Sequence, residues 1–182
     1  MLSIKKTTLA ASLLFLTASP ISNARTRVDN HLSAMMSEVN LESQVMEGVI
    51  VYYNPDNRRI NLETVRQVLR ESKSMIGPEV DNCQNLTLKL FLLPDSVINN
   101  RDVMSFLVWE LWGNQSLWGV YDSFHEPSVG EMYVNTNIPT STMNMTIAHE
   151  YFHYRQDIRC VRKDEQEARN FEIRFCEISS TC

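Results

Sequence analysis

The sequence has no apolar run long enough to remain in a membrane. The best candidate, Leu9 to Leu16, falls short of the roughly 20 residues a spanning helix needs. A basic excess is missing too: 17 Lys and Arg stand against 22 Asp and Glu, for a net charge of -5. Nucleic-acid phosphates attract basic surfaces, so nucleic acid is not an expected partner. None of the four cysteines stands in CxxC spacing, which argues against a cysteine zinc knuckle. There is no internal repeat, low-complexity tract or linker. Histidine is scarce, with four in the chain and none after His153.

The start of the chain reads as a leader. Lys5 and Lys6 form a positive patch, the short apolar run follows, and Ser22-Asn23-Ala24 places small residues where a signal peptidase reads them. Residues 1–24 are therefore expected to be a secretory signal. Residues 25–182 form a single domain with enough chain to bury a core. Loss of Lys5 and Lys6 takes the net charge from -5 to -7. The mature protein is expected in the periplasm or outside the cell, without stable membrane insertion. An even cysteine count in an exported chain predicts two disulfides. If residues 163–178 are helical, Cys160 and Cys176 lie roughly 20 Å apart along the axis, too far to bridge. Cys83 with Cys160, and Cys176 with Cys182, is the favoured pairing.

Residues 25–44 are polar and mixed, a loose arm or short helix that could act as a pro-segment. Val49 to Tyr53 is β-branched and aromatic and ends at Asn54-Pro55-Asp56-Asn57, a strand and a turn. Asn61 caps a helix in which Leu62, Val65, Leu69 and Ile76 recur at helical spacing, and Gly77-Pro78 stops it. Leu86 to Leu93 is a second strand, ended by Pro94. Ser96 to Trp112 reads as a helix. Trp118 to Tyr121 and Met132 to Val134 read as short strands, with His125 in the polar loop between them. Thr140-Ser141-Thr142 offers caps for a helix to about Asp157, and a last helix runs from Asp164 to about Ile178. The mixed order predicts an α+β fold.

Chemistry concentrates at Ile147-Ala148-His149-Glu150-Tyr151-Phe152-His153-Tyr154, which contains H-E-x-x-H. His149 and His153 stand at i and i+4, so both imidazoles leave one helix face and can share a metal ion. Neutral imidazole is a good zinc ligand. Glu150, next to the first ligand, reaches the open side of the metal and can serve as general base toward an activated water. A third ligand must be a carboxylate, because no histidine follows. Asp164, Glu165, Glu167 and Glu172 are available.

Here the sequence resembles the glutamate-type zincins, the thermolysin-like and related peptidases. In those families the third ligand is a Glu on a following helix, commonly in a Glu-x-x-Ala setting. Glu165-Gln166-Glu167-Ala168 matches that setting, and the resemblance implies Glu165 as the ligand. The resemblance covers residues 130–178 and is nearest to small exported bacterial proteins with a minimal zincin core. It implies a small mixed sheet, with an HExxH helix and a following third-ligand helix. Two features depart from the pattern. The spacer from His153 to Glu165 is shorter than in thermolysin-like enzymes, and Arg169 stands where an acid is frequent. Periodicity also points elsewhere: Ala168, Phe171, Phe175 and Ile178 mark a buried stripe, to which Glu167 and Asp164 lie nearer than Glu165. The order of expectation is Glu165, then Glu167, then Asp164.

In zincins an edge strand lies above the metal, and the resemblance places Gly130 to Asn135 there, where a peptide could add as a further strand. His125, Tyr133 and Tyr154 are weaker candidates for touching substrate, and packing is the preferred role for both tyrosines. The leading expectation is an exported zinc-dependent peptidase, a hydrolase acting on peptide or protein with Zn2+ held by His149, His153 and Glu165. The alternative is a non-catalytic exported binding or structural module that keeps the fold. A metal-assisted hydrolase of another amide, such as one in a cell wall, comes third.

Overall fold

The computed structural model describes residues 34, 36–77, 83–99, 118–123 and 128–182. In chain order these form β1 (Glu42–Met46), β2 (Val49–Tyr53), α1 (Leu62–Ile76), β3 (Thr87–Leu93), α2 (Asp95–Ile98), β4 (Gly119–Asp122), β5 (Val129–Asn135), α3 (Thr140–Ile158) and α4 (Glu165–Ile178). The fold is α+β around one five-stranded mixed sheet of order β1-β2-β3-β5-β4. β3 lies parallel to both β2 and β5, while the outer strands β1 and β4 are antiparallel to their neighbours.

Alternation along β3 explains how both faces of the sheet are used. Leu88, Leu90 and Leu92 face Val65, Val68 and Leu69 of α1, Met143, Ile147 and Tyr151 of α3, and Phe171 and Phe175 of α4. Phe91 and Leu93 face the other way, into a smaller cluster with Tyr133, Val97 and Ile98. There Phe91 stacks between Tyr52 and Tyr133, at centroid distances of 4.6 and 5.2 Å. Met36, Val39 and Leu41 pack against this second cluster, so this part of the expected arm covers the sheet face opposite α3. Asn61 caps α1 as expected, its side chain accepting from the backbone N–H groups of Glu63 and Thr64.

Several expectations need correction. Residues 42–44 are not arm but the start of β1, which pairs with β2 through a two-residue turn at Glu47-Gly48, both at positive φ. Val129–Asn135 is not an edge strand: it is paired on both sides, and among the described residues β4 borders the sheet. Thr140, Ser141 and Thr142 do not cap α3. Pro139 holds the cap position without a side-chain bond, and the threonines already belong to the helix. The helix expected from Ser96 begins at Asp95 and closes in a turn at Asn99; the remainder of that expectation, like residues 1–24 and His125, lies outside the described residues. Ile178 is exposed, because the C-terminal tail and not Ile178 returns to α3, where Thr181 O accepts from Asn144 Nδ2 at 2.6 Å.

Both expected disulfides are formed, Cys83–Cys160 and Cys176–Cys182. Two disulfides point to an oxidising compartment. No helix among the described residues is long and apolar enough to cross a membrane. Cys83–Cys160 joins positions 77 residues apart and ties the C-terminal end of α3 to the approach to β3. Replacing both cysteines by Ser is expected to cost about 2–5 kcal/mol, read as a lower denaturant midpoint.

Candidate metal centre

Helix α3 packs its apolar residues on the sheet and turns a polar side toward α4. His149 and His153 fall on that side, one turn apart, with His153 only 4% exposed. Their Nε2 atoms stand 3.2 Å from each other. From the first turn of α4 the Glu165 carboxylate reaches both, with Oε1 3.1 Å from His153 Nε2 and Oε2 3.4 Å from His149 Nε2. These three residues form a group that can hold a metal ion. For bonds of about 2.0–2.2 Å to imidazole nitrogen and carboxylate oxygen, tetrahedral geometry puts neighbouring donor atoms roughly 3.3–3.6 Å apart. The observed separations are close to those edges.

The outer nitrogens of both rings are also engaged. His149 Nδ1 is 3.1 Å from Glu172 Oε2, and His153 Nδ1 is 3.0 Å from Gln156 Oε1. Glu167 is not part of the group that can hold an ion and accepts from Gln156 Nε2 at 3.1 Å. Asp164 is the N-cap of α4, its side chain accepting from the Glu167 N–H at 3.0 Å. The periodicity argument favoured these two acids because it extended the stripe of Ala168 and Phe171 backward. The helix starts after its cap at Asp164, so the projection does not reach Asp164; Glu167 lies within the helix, and its carboxylate is engaged by Gln156. Glu172 was named only among the acids available as a third ligand, and Gln156 was not singled out at all. Their spacing carried a signal: Gln156 lies three residues after His153, and Glu172 two turns after Glu165.

Charge follows from this geometry. Burial opposes a proton on His149 and is the largest single influence. The hydrogen-bonded carboxylates of Glu165 and Glu172, with Glu150 nearby, together outweigh it and raise the pKa to about 10. Hydrogen bonds to His149 and His153 hold the Glu165 carboxyl well below the usual carboxylate range, against a smaller opposing effect of burial. The Glu165 side chain nevertheless stays 45% open to solvent. Burial raises the pKa of Glu150, and the two histidines pull it back.

Glu150 leaves α3 toward β4. A Cβ built on Gly119 would run into Thr146 Cγ2 and lie 3.2 Å from Glu150 Oε1, so the strand approaches the carboxylate closely because Gly119 has no side chain. Two residues on, Tyr121 donates to Asp157 Oδ2 at 2.8 Å, and the Lys163 ammonium lies 4.4 Å from its ring centroid. Sequence reasoning passed over both Gly119 and Lys163, since a single glycine or a loop lysine carries no spacing signal. Tyr133 and Tyr154 are occupied elsewhere: Tyr133 donates to Glu131 Oε2, and Tyr154 to Leu86 O.

In comparisons with known proteins, no family model, curated protein or solved structure matches this chain.

Two outcomes are expected. In the metal-free protein His149 holds a proton up to about pH 10, which an incoming ion must displace. Uptake of a divalent ion should therefore release about one proton from His149 at pH 7–9, and affinity should rise about tenfold per pH unit as this range is climbed. Calorimetric titration in buffers of different ionisation enthalpy measures both. Gly119→Ala should destabilise the fold by about 1–3 kcal/mol through overpacking against Thr146 and Glu150, measurable by chemical denaturation.

Proposed function

We propose that the protein is an exported zinc-dependent peptidase of the glutamate-ligand zincin kind. The observation that carries this reading is the meeting of His149 Nε2, His153 Nε2 and the Glu165 carboxylate, donors from two helices, at separations that suit one tetrahedral ion. Two imidazoles and a carboxylate are a donor set of catalytic zinc sites, which keep a fourth position open, whereas closed structural sites are rich in cysteine. When bound, zinc supplies a Lewis acid that makes water more acidic and polarises a carbonyl.

The chain's own residues supply the rest. Glu150 is buried beside the ligands, and that burial makes its carboxylate a stronger base than a surface glutamate. It can take a proton from an attacking water and hand it to a leaving amine. Among the described residues, the outermost strand beside it is β4. The Asn135 N–H donates to Trp118 O at 2.8 Å, so at the next residue, Gly119, the N–H and C=O turn away from β5. An extended peptide can pair with those groups and bring a carbonyl toward Glu150. Export is supported by the leader-like first 24 residues together with the two disulfides.

The test is metal content and turnover of the protein spanning residues 25–182. The unmodified protein should carry about one zinc per chain, and His149→Ala with His153→Ala should carry none. Glu150→Gln should keep its zinc and lose peptide hydrolysis by a factor of about 10²–10⁴. A folded protein without zinc sinks the proposal. Zinc without hydrolysis of casein-type or cell-wall substrates makes the protein a binding module.

A further inference from the structure

Gln156 makes three hydrogen bonds that together determine how the His153 ring is presented. Its Oε1 accepts from the Asp164 backbone N–H at 3.2 Å and lies 3.0 Å from His153 Nδ1. Its Nε2 donates to Glu167 Oε2 at 3.1 Å. An amide side chain can be turned end for end, so its orientation is set by its partners. An ionised carboxylate can only accept and a backbone N–H can only donate. Glu167 therefore demands the NH2 end and Asp164 the oxygen end. With the oxygen facing His153, the ring must carry its hydrogen on Nδ1, so Nε2, the atom facing His149 Nε2 and Glu165, is the nitrogen left to give a lone pair to an incoming ion.

We propose that Gln156 is a positioning residue that sets the tautomer and orientation of His153 for metal binding, with Glu167 acting through it at one remove. The inference rests on the reading of His149, His153 and Glu165 as metal ligands. Glu167 thus serves the centre without being a ligand. The arrangement also makes the two histidines unlike. His149 is held directly by the Glu172 carboxylate, whereas His153 is held by a neutral amide that is itself oriented by a carboxylate. The same amide takes the first backbone N–H of the α4 cap, so the helix start that carries Glu165 and the ring it must meet are joined through one side chain. Outer partners of ligating histidines commonly change metal affinity by about 10–100-fold when lost.

The experiment uses the chain spanning residues 25–182, stripped of metal. Zn2+ affinity is measured by competition with a chromophoric chelator at fixed pH. The His153 tautomer in the metal-free protein is read from its side-chain ¹⁵N spectrum. Gln156→Met should weaken zinc binding about 10–100-fold and lose the Nδ1–H signature. Glu167→Ala, a change at an exposed residue that leaves the core untouched, should weaken it by about tenfold, at the low end of the same range. Gln156→Glu combined with Glu167→Gln exchanges donor and acceptor ends, keeps an oxygen toward His153, and should return affinity to within a few-fold of the original. If the unmodified protein binds zinc and Gln156→Met and Glu167→Ala bind equally well, the inference is overturned while the metal-site reading stands. If Gln156→Met does not fold, Glu167→Ala and the exchanged pair decide alone. If the unmodified protein binds no zinc, the functional reading and this inference both fall.

Discussion

Helix α3 crosses the interior with Asn144, Glu150, His153, Arg155 and Gln156 all buried along it. Burying such groups is unfavourable unless each finds a partner, and much of the surrounding structure is arranged to supply one. The C-terminal tail gives Thr181 O to Asn144. Helix α4 brings Glu165 and Glu172 to the histidines and Glu167 to Gln156. At the far end of α3, the Cys83 and Gln84 N–H groups donate to Ile158 O and the Gln84 side chain donates to Asp157 O, satisfying carbonyls that the helix leaves open. The apolar side of α3 is ordinary packing; its polar side dictates where α4, the tail and the approach to β3 must lie.

The short return from α3 to α4 follows from how α3 ends. Cys160 N–H donates to Asp157 O, and Val161 N–H donates to Gln156 O. With Cys160 at φ 53, this is the paired-bond helix stop that usually places glycine in the left-handed position. A cysteine there sacrifices about 1 kcal/mol or more of backbone preference, and the disulfide to Cys83 gives that position a reason to be cysteine. The sharp stop lets residues 159–164 turn the chain back within a few residues, so that Glu165, in the first turn of α4, arrives opposite His153. A spacer this short would be surprising if α3 simply frayed. It is natural when the turn is fixed by two hydrogen bonds and a covalent link.

Legibility in the sequence followed the range of the interactions. The pairing of His149 with His153 was readable because a four-residue spacing on a helix fixes geometry locally. The strands of the sheet's centre were readable from β-branched and leucine runs, and a helix too long to bridge excluded one of the three disulfide pairings, that of Cys160 with Cys176. β1 was missed because Glu42-Ser43-Gln44 is polar and the strand lies at an edge, although Glu47-Gly48 between it and Val49 was a turn signal. The place of Val129–Asn135 inside the sheet could not be read, since strand order depends on contacts distant in sequence. Choosing among Asp164, Glu165 and Glu167 turned on a cap at Asp164, one residue away from where periodicity placed the helix start.

Few conditions define a centre of this kind: two imidazoles one helical turn apart, a carboxylate facing both, and acceptors behind each ring. None of them prescribes a particular sheet or spacer, so an arrangement of this kind can be met without resemblance elsewhere in the chain. The departures from the glutamate-type pattern bear this out physically. Arg169 occupies a position where an acid is frequent, yet Glu172, further along the same helix, lies 3.1 Å from His149 Nδ1. The spacer is short, yet the stop at Cys160 lets Glu165 reach both Nε2 atoms. What a site able to hold an ion requires is donors that face one another, and here His149, His153 and Glu165 are brought together by a cysteine-anchored turn, a capped helix and one bridging glutamine.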